Sequence, residues 1–165
     1  FNVGWLSSWD MVVFSPAASA AGTDAATTTS EAVTGQVRND LGQCLTSKDP
    51  KGEDGTPVWN ANCAGDSDAQ TVTYEDGHLR IGDRCVDVVG GYTEEGTVAH
   101  MWTCYPTLES QMWDRNDSGQ FVNRASGLCL TIPGETTQEG TQAVISQCSS
   151  SSPSQRWSLP SPAGK

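Results

Sequence analysis

No segment of the chain sustains the 3.6-residue apolar period of a long helix. Apolar positions come instead in short runs separated by Gly, Ser and Thr, which predicts short strands joined by turns. The runs also recur. "GTPVWNANCAGDSDAQTV" (55–72), "GTVAHMWTCYPTLESQMW" (96–113) and "GTQAVISQCSSSSPSQRW" (140–157) each open on Gly-Thr, with Cys at the ninth position and Gln at the sixteenth. A further Cys stands eleven residues before each Gly-Thr, at 44, 85 and 129, giving periods of 41 and 44 residues. Repetition at a fixed period outranks local propensity as a signal of fold. From about Val33 to Pro160 the chain therefore reads as a threefold repeat. Blades of a propeller share this period, but a propeller needs about four of them or more. Three units closing into one barrel with threefold pseudosymmetry satisfy the count and leave no bare sheet edge.

The six cysteines allow 15 pairings in principle. Spacing favours one disulfide inside each repeat, Cys44–Cys63, Cys85–Cys104 and Cys129–Cys148, each spanning 19 positions. A loop of that size contributes about 3 kcal/mol in the chain-entropy account. Disulfides imply an oxidising compartment, so the chain is expected to be secreted and extracellular. The alternatives are free thiols or a zinc site. Zinc favours close Cys pairs or a Cys/His cluster, and this chain has no Cys-x-x-Cys and two His. No metal and no cofactor is expected.

Ahead of the repeats, residues 1–14, "FNVGWLSSWDMVVF", look like one or two short strands, and they lack the Lys or Arg of a signal-peptide n-region. Residues 15–32 are rich in Ala, Thr and Ser and read as a linker. A strand-like piece tethered ahead of a linker cannot bury itself alone. It is read as the end of an upstream domain in a processed precursor, able to add a strand to another chain of that precursor. The alternative is packing on the domain that follows. Residues 161–165 read as a loose tail.

The thrice-repeated pattern resembles the ricin B-type lectin domain, a carbohydrate-binding module with a β-trefoil fold. The residues that carry the likeness are "CLT", "CVD" and "CLT" at Cys44, Cys85 and Cys129, with "QTV", "QMW" and "QRW" at Gln70, Gln111 and Gln155. It covers about 128 of the 165 residues. The first repeat departs from it, with Val72 in place of a Trp. The resemblance implies an all-β trefoil of about twelve strands, six closing a barrel and six forming hairpins across one end. It also implies that Trp113 and Trp157 belong to the core.

Sugar recognition needs a carboxylate for adjacent hydroxyls, further polar groups, and a flat aromatic surface for the apolar face of the ring. The resemblance assigns these roles to five positions per repeat. The carboxylate position is Thr46, Asp87 and Thr131. A polar group follows at Trp59, His100 and Val144, and the stacking aromatic at Ala61, Trp102 and Ser146. The last two positions are Ala69, Ser110 and Ser154, then Gln70, Gln111 and Gln155. The middle repeat alone is complete, so the expected sugar site is Asp87, His100, Trp102, Ser110 and Gln111. Ser110 stands where Asn is usual. Tyr92 is close enough in sequence to border this site, whereas His78 reads as a turn residue and "YTEEG" (92–96) as a solvated hairpin loop.

A net charge of −11 argues against nucleic acid and anionic lipid as partners. No apolar run approaches the roughly 20 residues that span a bilayer. Neither His lies in a nucleophile-elbow context, and no glycosidase carboxylate motif is recognisable, so the chain reads as non-catalytic. The expected function is that of a secreted lectin-like module that binds a glycan, galactose-type favoured over xylan-type, through one site in the middle repeat and targets a larger processed enzyme or toxin. The rival reading is a trefoil that binds no sugar and serves as a structural or protein-interaction subunit of a processed hydrolase.

Overall fold

A computed structural model describes residues 31–160. The expectations for the strand-like segment 1–14, for the linker up to residue 30 and for the tail 161–165 lie outside the described residues. The first repeat contributes β1 (Val33–Gly35), β2 (Arg38–Asn39), β3 (Gln43–Ser47), β4 (Val58–Asn62) and β5 (Val72–Glu75). The second contributes β6 (His78–Ile81), β7 (Arg84–Val88), β8 (Ala99–Thr103) and β9 (Trp113–Arg115). The third contributes β10 (Phe121–Asn123), β11 (Cys129–Thr131), β12 (Val144–Ser146) and β13 (Trp157–Ser158).

These strands form three antiparallel sheets, in the orders β1-β5-β6-β7-β8, β12-β11-β10-β9 and β13-β2-β3-β4. The last strand of each repeat pairs with the first strand of the next, as β5–β6, β9–β10 and β13–β2. The third repeat thus closes on the first, and the fold is a β-trefoil. Thirteen strands appear among the described residues, where about twelve were expected, because the first strand of the first repeat is divided. Its β1 half pairs with β5 and its β2 half with β13, so the chain changes sheet at Gln36 and Val37.

All three disulfides form within repeats, and no cysteine is free. Trp113 and Trp157 are fully buried, and their indole N–H groups donate to Val86 O and Leu130 O, both at 3.0 Å. In each case the acceptor belongs to the residue just after the repeat's first Cys. Burying an indole without such a partner would cost free energy. Val72 is likewise buried, without a donor to offer.

The Gly-Thr pairs explain how repeats join. Gly55, Gly96 and Gly140 have φ of 99°, 93° and 84°, a region that favours glycine. Their N–H groups donate to Met101 O (2.8 Å), Ile145 O (2.7 Å) and Asn60 O (2.9 Å), each in the next repeat round the axis. The following Thr hydroxyl locks each turn, donating to Glu53 O, Glu94 O or Gln138 O at 2.7 Å. The "YTEEG" loop differs from expectation in one respect. Glu95 is not merely solvated, since its carboxylate accepts hydrogen bonds from the third repeat.

Candidate functional site

The middle repeat's long hairpin, β7 and β8, places Asp87 opposite His100 and Cys85 opposite Trp102. Strand alternation puts residues two apart on one face, so Asp87, His100 and Trp102 converge on the same side. Beyond β7 the chain turns through Val89–Gly91, a short 3-10 turn in which Gly90 and Gly91 adopt φ of 63° and 67°. A second 3-10 turn, Glu109–Gln111, brings Ser110 in from the opposite side.

Together they enclose an open cavity of about 370 Å³. Asp87, His100 and Ser110 supply its polar lining, while Val89, Trp102 and Leu108 supply apolar walls above the two glycines. Asp87 is 5% exposed. Ser110 Oγ donates to its Oδ1 at 2.7 Å, and His100 Nε2 lies 3.2 Å from its Oδ2. These contacts hold the carboxylate in place and leave lone pairs on both oxygens for further donors. The imidazole also stacks on the Trp102 indole, with centroids 5.0 Å apart and planes 23° from parallel. One face of the indole is therefore covered, and the ring is held in orientation.

Four of the five expected residues line this cavity. Gln111 does not. It is fully buried, its Nε2 donates to Thr103 O and its Oε1 accepts from Tyr105 N, both at 2.8 Å. Its amide thus brackets Cys104 and anchors the end of β8. Gln70 and Gln155 make the same pair of contacts, with Asn62 O and Ala64 N in one repeat and Gln147 O and Ser149 N in the other. A contact that recurs in all three repeats belongs to the fold. His78 begins β6 beside the turn, with its Nε2 3.3 Å from Tyr105 O.

The other two repeats differ at the carboxylate position. Thr46 and Thr131 turn their hydroxyls back to Cys44 O and Cys129 O and accept from Gln70 and Gln155. In the first repeat Trp59 occupies the position of His100, with the Lys48 ammonium 6.0 Å from its ring centre and Thr46 opposite it.

In the third repeat Glu135 and Ser152 occupy the positions of Gly91 and Leu108, and Ser152 Oγ donates to Glu135 Oε2 at 2.9 Å. That bond joins the two sides that stand open in the middle repeat. Gly91 and Leu108 thus shape the cavity, although sequence reasoning passed over them. Alignment of the repeats by their cysteines exposes both differences.

Among the described residues, no group of three or more His, Cys, Asp or Glu is arranged to hold a metal. Asp87 is the one carboxylate among the residues lining the cavity. Paired-carboxylate chemistry therefore has no second member there. A fixed carboxylate, an imidazole, a hydroxyl and an indole face suit the binding of a polyhydroxylated ring.

The sequence profile of the ricin-type beta-trefoil lectin domain matches residues 33–157. The chain belongs to this family of carbohydrate-binding domains. No curated protein sequence matches it significantly. Among solved structures it is similar to the agglutinin of Abrus precatorius, at 20% identity and a TM-score of 0.68, over 78% of this chain and 48% of that one. It is similar to a non-toxic type II RIP homologue from Momordica charantia in complex with α-methyl-D-galactoside, at 19% identity and a TM-score of 0.67, over 79% and 48%. The hemolytic lectin CEL-III matches at 28% identity and a TM-score of 0.61, over 78% and 30%. The chain thus spans half or less of the length of these three relatives.

Proposed function

We propose that this chain is a secreted, galactose-type carbohydrate-binding module with one competent site, in the middle repeat, which targets a larger processed enzyme or toxin to glycans. The observation that carries this reading is the buried Asp87 carboxylate, braced by Ser110 and His100 beside Trp102 in an open cavity. Asp87 accepts from two adjacent sugar hydroxyls, His100 and Ser110 serve the neighbouring ones, and Trp102 offers its free indole face to the C–H face of the ring. Gln111 acts from beneath as a positioning residue. The galactoside bound by the Momordica charantia homologue favours galactose over a xylan-type sugar. Three disulfides favour an extracellular setting.

The lectin module extends over 33–160, and residues 1–14 engage another chain of the same precursor. A single shallow site binds in the millimolar range, about −4 kcal/mol. Useful avidity then comes from the attached partner.

The test is a calorimetric and tryptophan-fluorescence titration with methyl galactoside and with xylo-oligosaccharides, on the wild type and on Asp87→Asn. The expected result is saturable galactoside binding that disappears in Asp87→Asn while the melting transition stays cooperative. Binding that survives in Asp87→Asn would place the sugar elsewhere. The absence of saccharide binding altogether would favour the structural, non-sugar-binding role.

A further inference from the structure

Large apolar side chains left exposed at one place mark a surface built for contact. Among the described residues, the large hydrophobics so exposed are Tyr92 (61%), Tyr105 (49%) and Leu108 (39%). All three lie in the two loops that flank the middle repeat's cavity. Leu108 forms part of its wall, and its N–H donates to Tyr105 O at 3.3 Å. Tyr92 follows directly on Gly91, and its ring packs on Gly90. A Cβ built at Gly90 would stand 2.6 Å from Tyr92 Cε2. The ring therefore rests on the glycine turn at the cavity's edge, held by backbone shape.

The other repeats provide an internal comparison. In phase with Tyr92 they carry Lys51 and Thr136, with Tyr105 they carry Ala64 and Ser149, and with Leu108 they carry Ser67 and Ser152. The trefoil unit forms twice with small or polar residues at these positions, so the fold does not require the apolar set. It occurs in the repeat whose cavity pairs a buried carboxylate, Asp87, with an indole, Trp102.

Resting on the function proposed above, we infer that the natural ligand is a neutral oligosaccharide, whose second ring lies across Tyr92 and Leu108 while its terminal ring occupies the cavity. An exposed phenol ring offers the C–H face of a pyranose the same surface that Trp102 offers inside. The surroundings disfavour an anionic second ring, since Glu94, Glu95 and Glu109 all lie exposed on these loops. Tyr92 is then the residue that reads chain length, through the holding of a second ring.

The experiment is isothermal calorimetry on the full chain and on Tyr92→Thr, a residue the third repeat already carries at this position. The ligands are methyl galactoside, neutral galactose-terminated di- and trisaccharides, and an alkyl galactoside. In the wild type, adding a second ring is expected to tighten binding about three- to tenfold. In Tyr92→Thr that gain collapses, while methyl galactoside binds as before. Equal affinity for one ring and two in the wild type would overturn the inference alone. So would a gain that persists in Tyr92→Thr, or one reproduced by the alkyl chain. If no saccharide of any length binds, the galactose reading falls and takes this inference with it.

Discussion

The carboxylate of Glu95, in the middle repeat, accepts hydrogen bonds from Ser146 Oγ at 2.6 Å and Gln147 N at 2.9 Å in the third. The first repeat has the equivalent contact to the second, where Asp54 accepts from Thr103 N at 2.6 Å and Thr103 Oγ1 at 3.0 Å. The third has it to the first, where Glu139 accepts from Asn62 N at 3.2 Å and Asn62 Nδ2 at 2.7 Å. An acidic residue just ahead of each Gly-Thr thus clasps the next repeat, and the cycle closes on itself.

Acid should loosen this cycle. The Ser146 hydroxyl, and after it the Gln147 amide, hold the Glu95 carboxyl below its ordinary 4.5. A carboxyl with a depressed folded value contributes stability above its unfolded value and loses it as pH falls through the folded one. Melting temperature should therefore drop more steeply on acidification in the wild type than in Glu95→Gln, whose amide does not titrate in this range. Parallel curves for the two proteins would show that the clasp does not couple to folding.

Tyr74 sets the opposite limit. Its hydroxyl donates to Trp113 O at 2.7 Å, and burial first, then the Asp114 charge, push its pKa above the ordinary 10.0. Below that value the phenol is neutral whether the chain is folded or not. As pH rises from there towards the folded value, the unfolded chain ionises first, and stability is lost. Tyr74→Phe should flatten this alkaline limb and cost about 0.5–1.5 kcal/mol at neutral pH for the lost hydrogen bond. Denaturant melts at pH 7 and in the alkaline range measure both.

Trp113 binds core and site together, since its indole N–H is the partner of Val86 O, the residue before Asp87. Trp113→Ala should destabilise by about 3–5 kcal/mol through the cavity it leaves. Trp113→Phe should cost less, about 1–3 kcal/mol, for leaving the Val86 carbonyl buried without its donor. Chemical denaturation ranks the two, and a Phe variant as unstable as the Ala variant would mean that the N–H bond outweighs the packing.

The third repeat offers a test of what makes a site. Thr131→Asp, Val144→His and Ser146→Trp together supply the groups it lacks, but the Glu135–Ser152 bond spans the positions that stay open in the middle repeat. A second, millimolar saccharide-binding event is expected when Glu135→Gly is added, and none without it. Calorimetric stoichiometry of one against two decides the matter. Two sites in the triple variant would show that Glu135 yields to the ligand.

Features that recur within one repeat were legible in the chain itself. The Cys pairs and the buried Trp113 and Trp157 act inside a unit of about forty residues, the Gly-Thr pairs mark its period, and a strand pair leaves its period and spacing in the local sequence. Asp87, His100 and Trp102 were singled out by the family resemblance, and one hairpin sets them on a common face. The role of Gln111 was not legible, because a repeated Gln reads alike whether its amide faces a ligand or, as here, the backbone on either side of Cys104. The contacts between repeats left still less trace. Gly55 meets Met101, Gly140 reaches back to Asn60, and Glu95 crosses to Ser146. The sequence by itself determined the unit and its threefold repetition. Which groups meet across the units, which carboxylates become clasps, and which loop stays open over a cavity were decided only in the closed structure. Such pairings join residues far apart along the chain, and no local period encodes them.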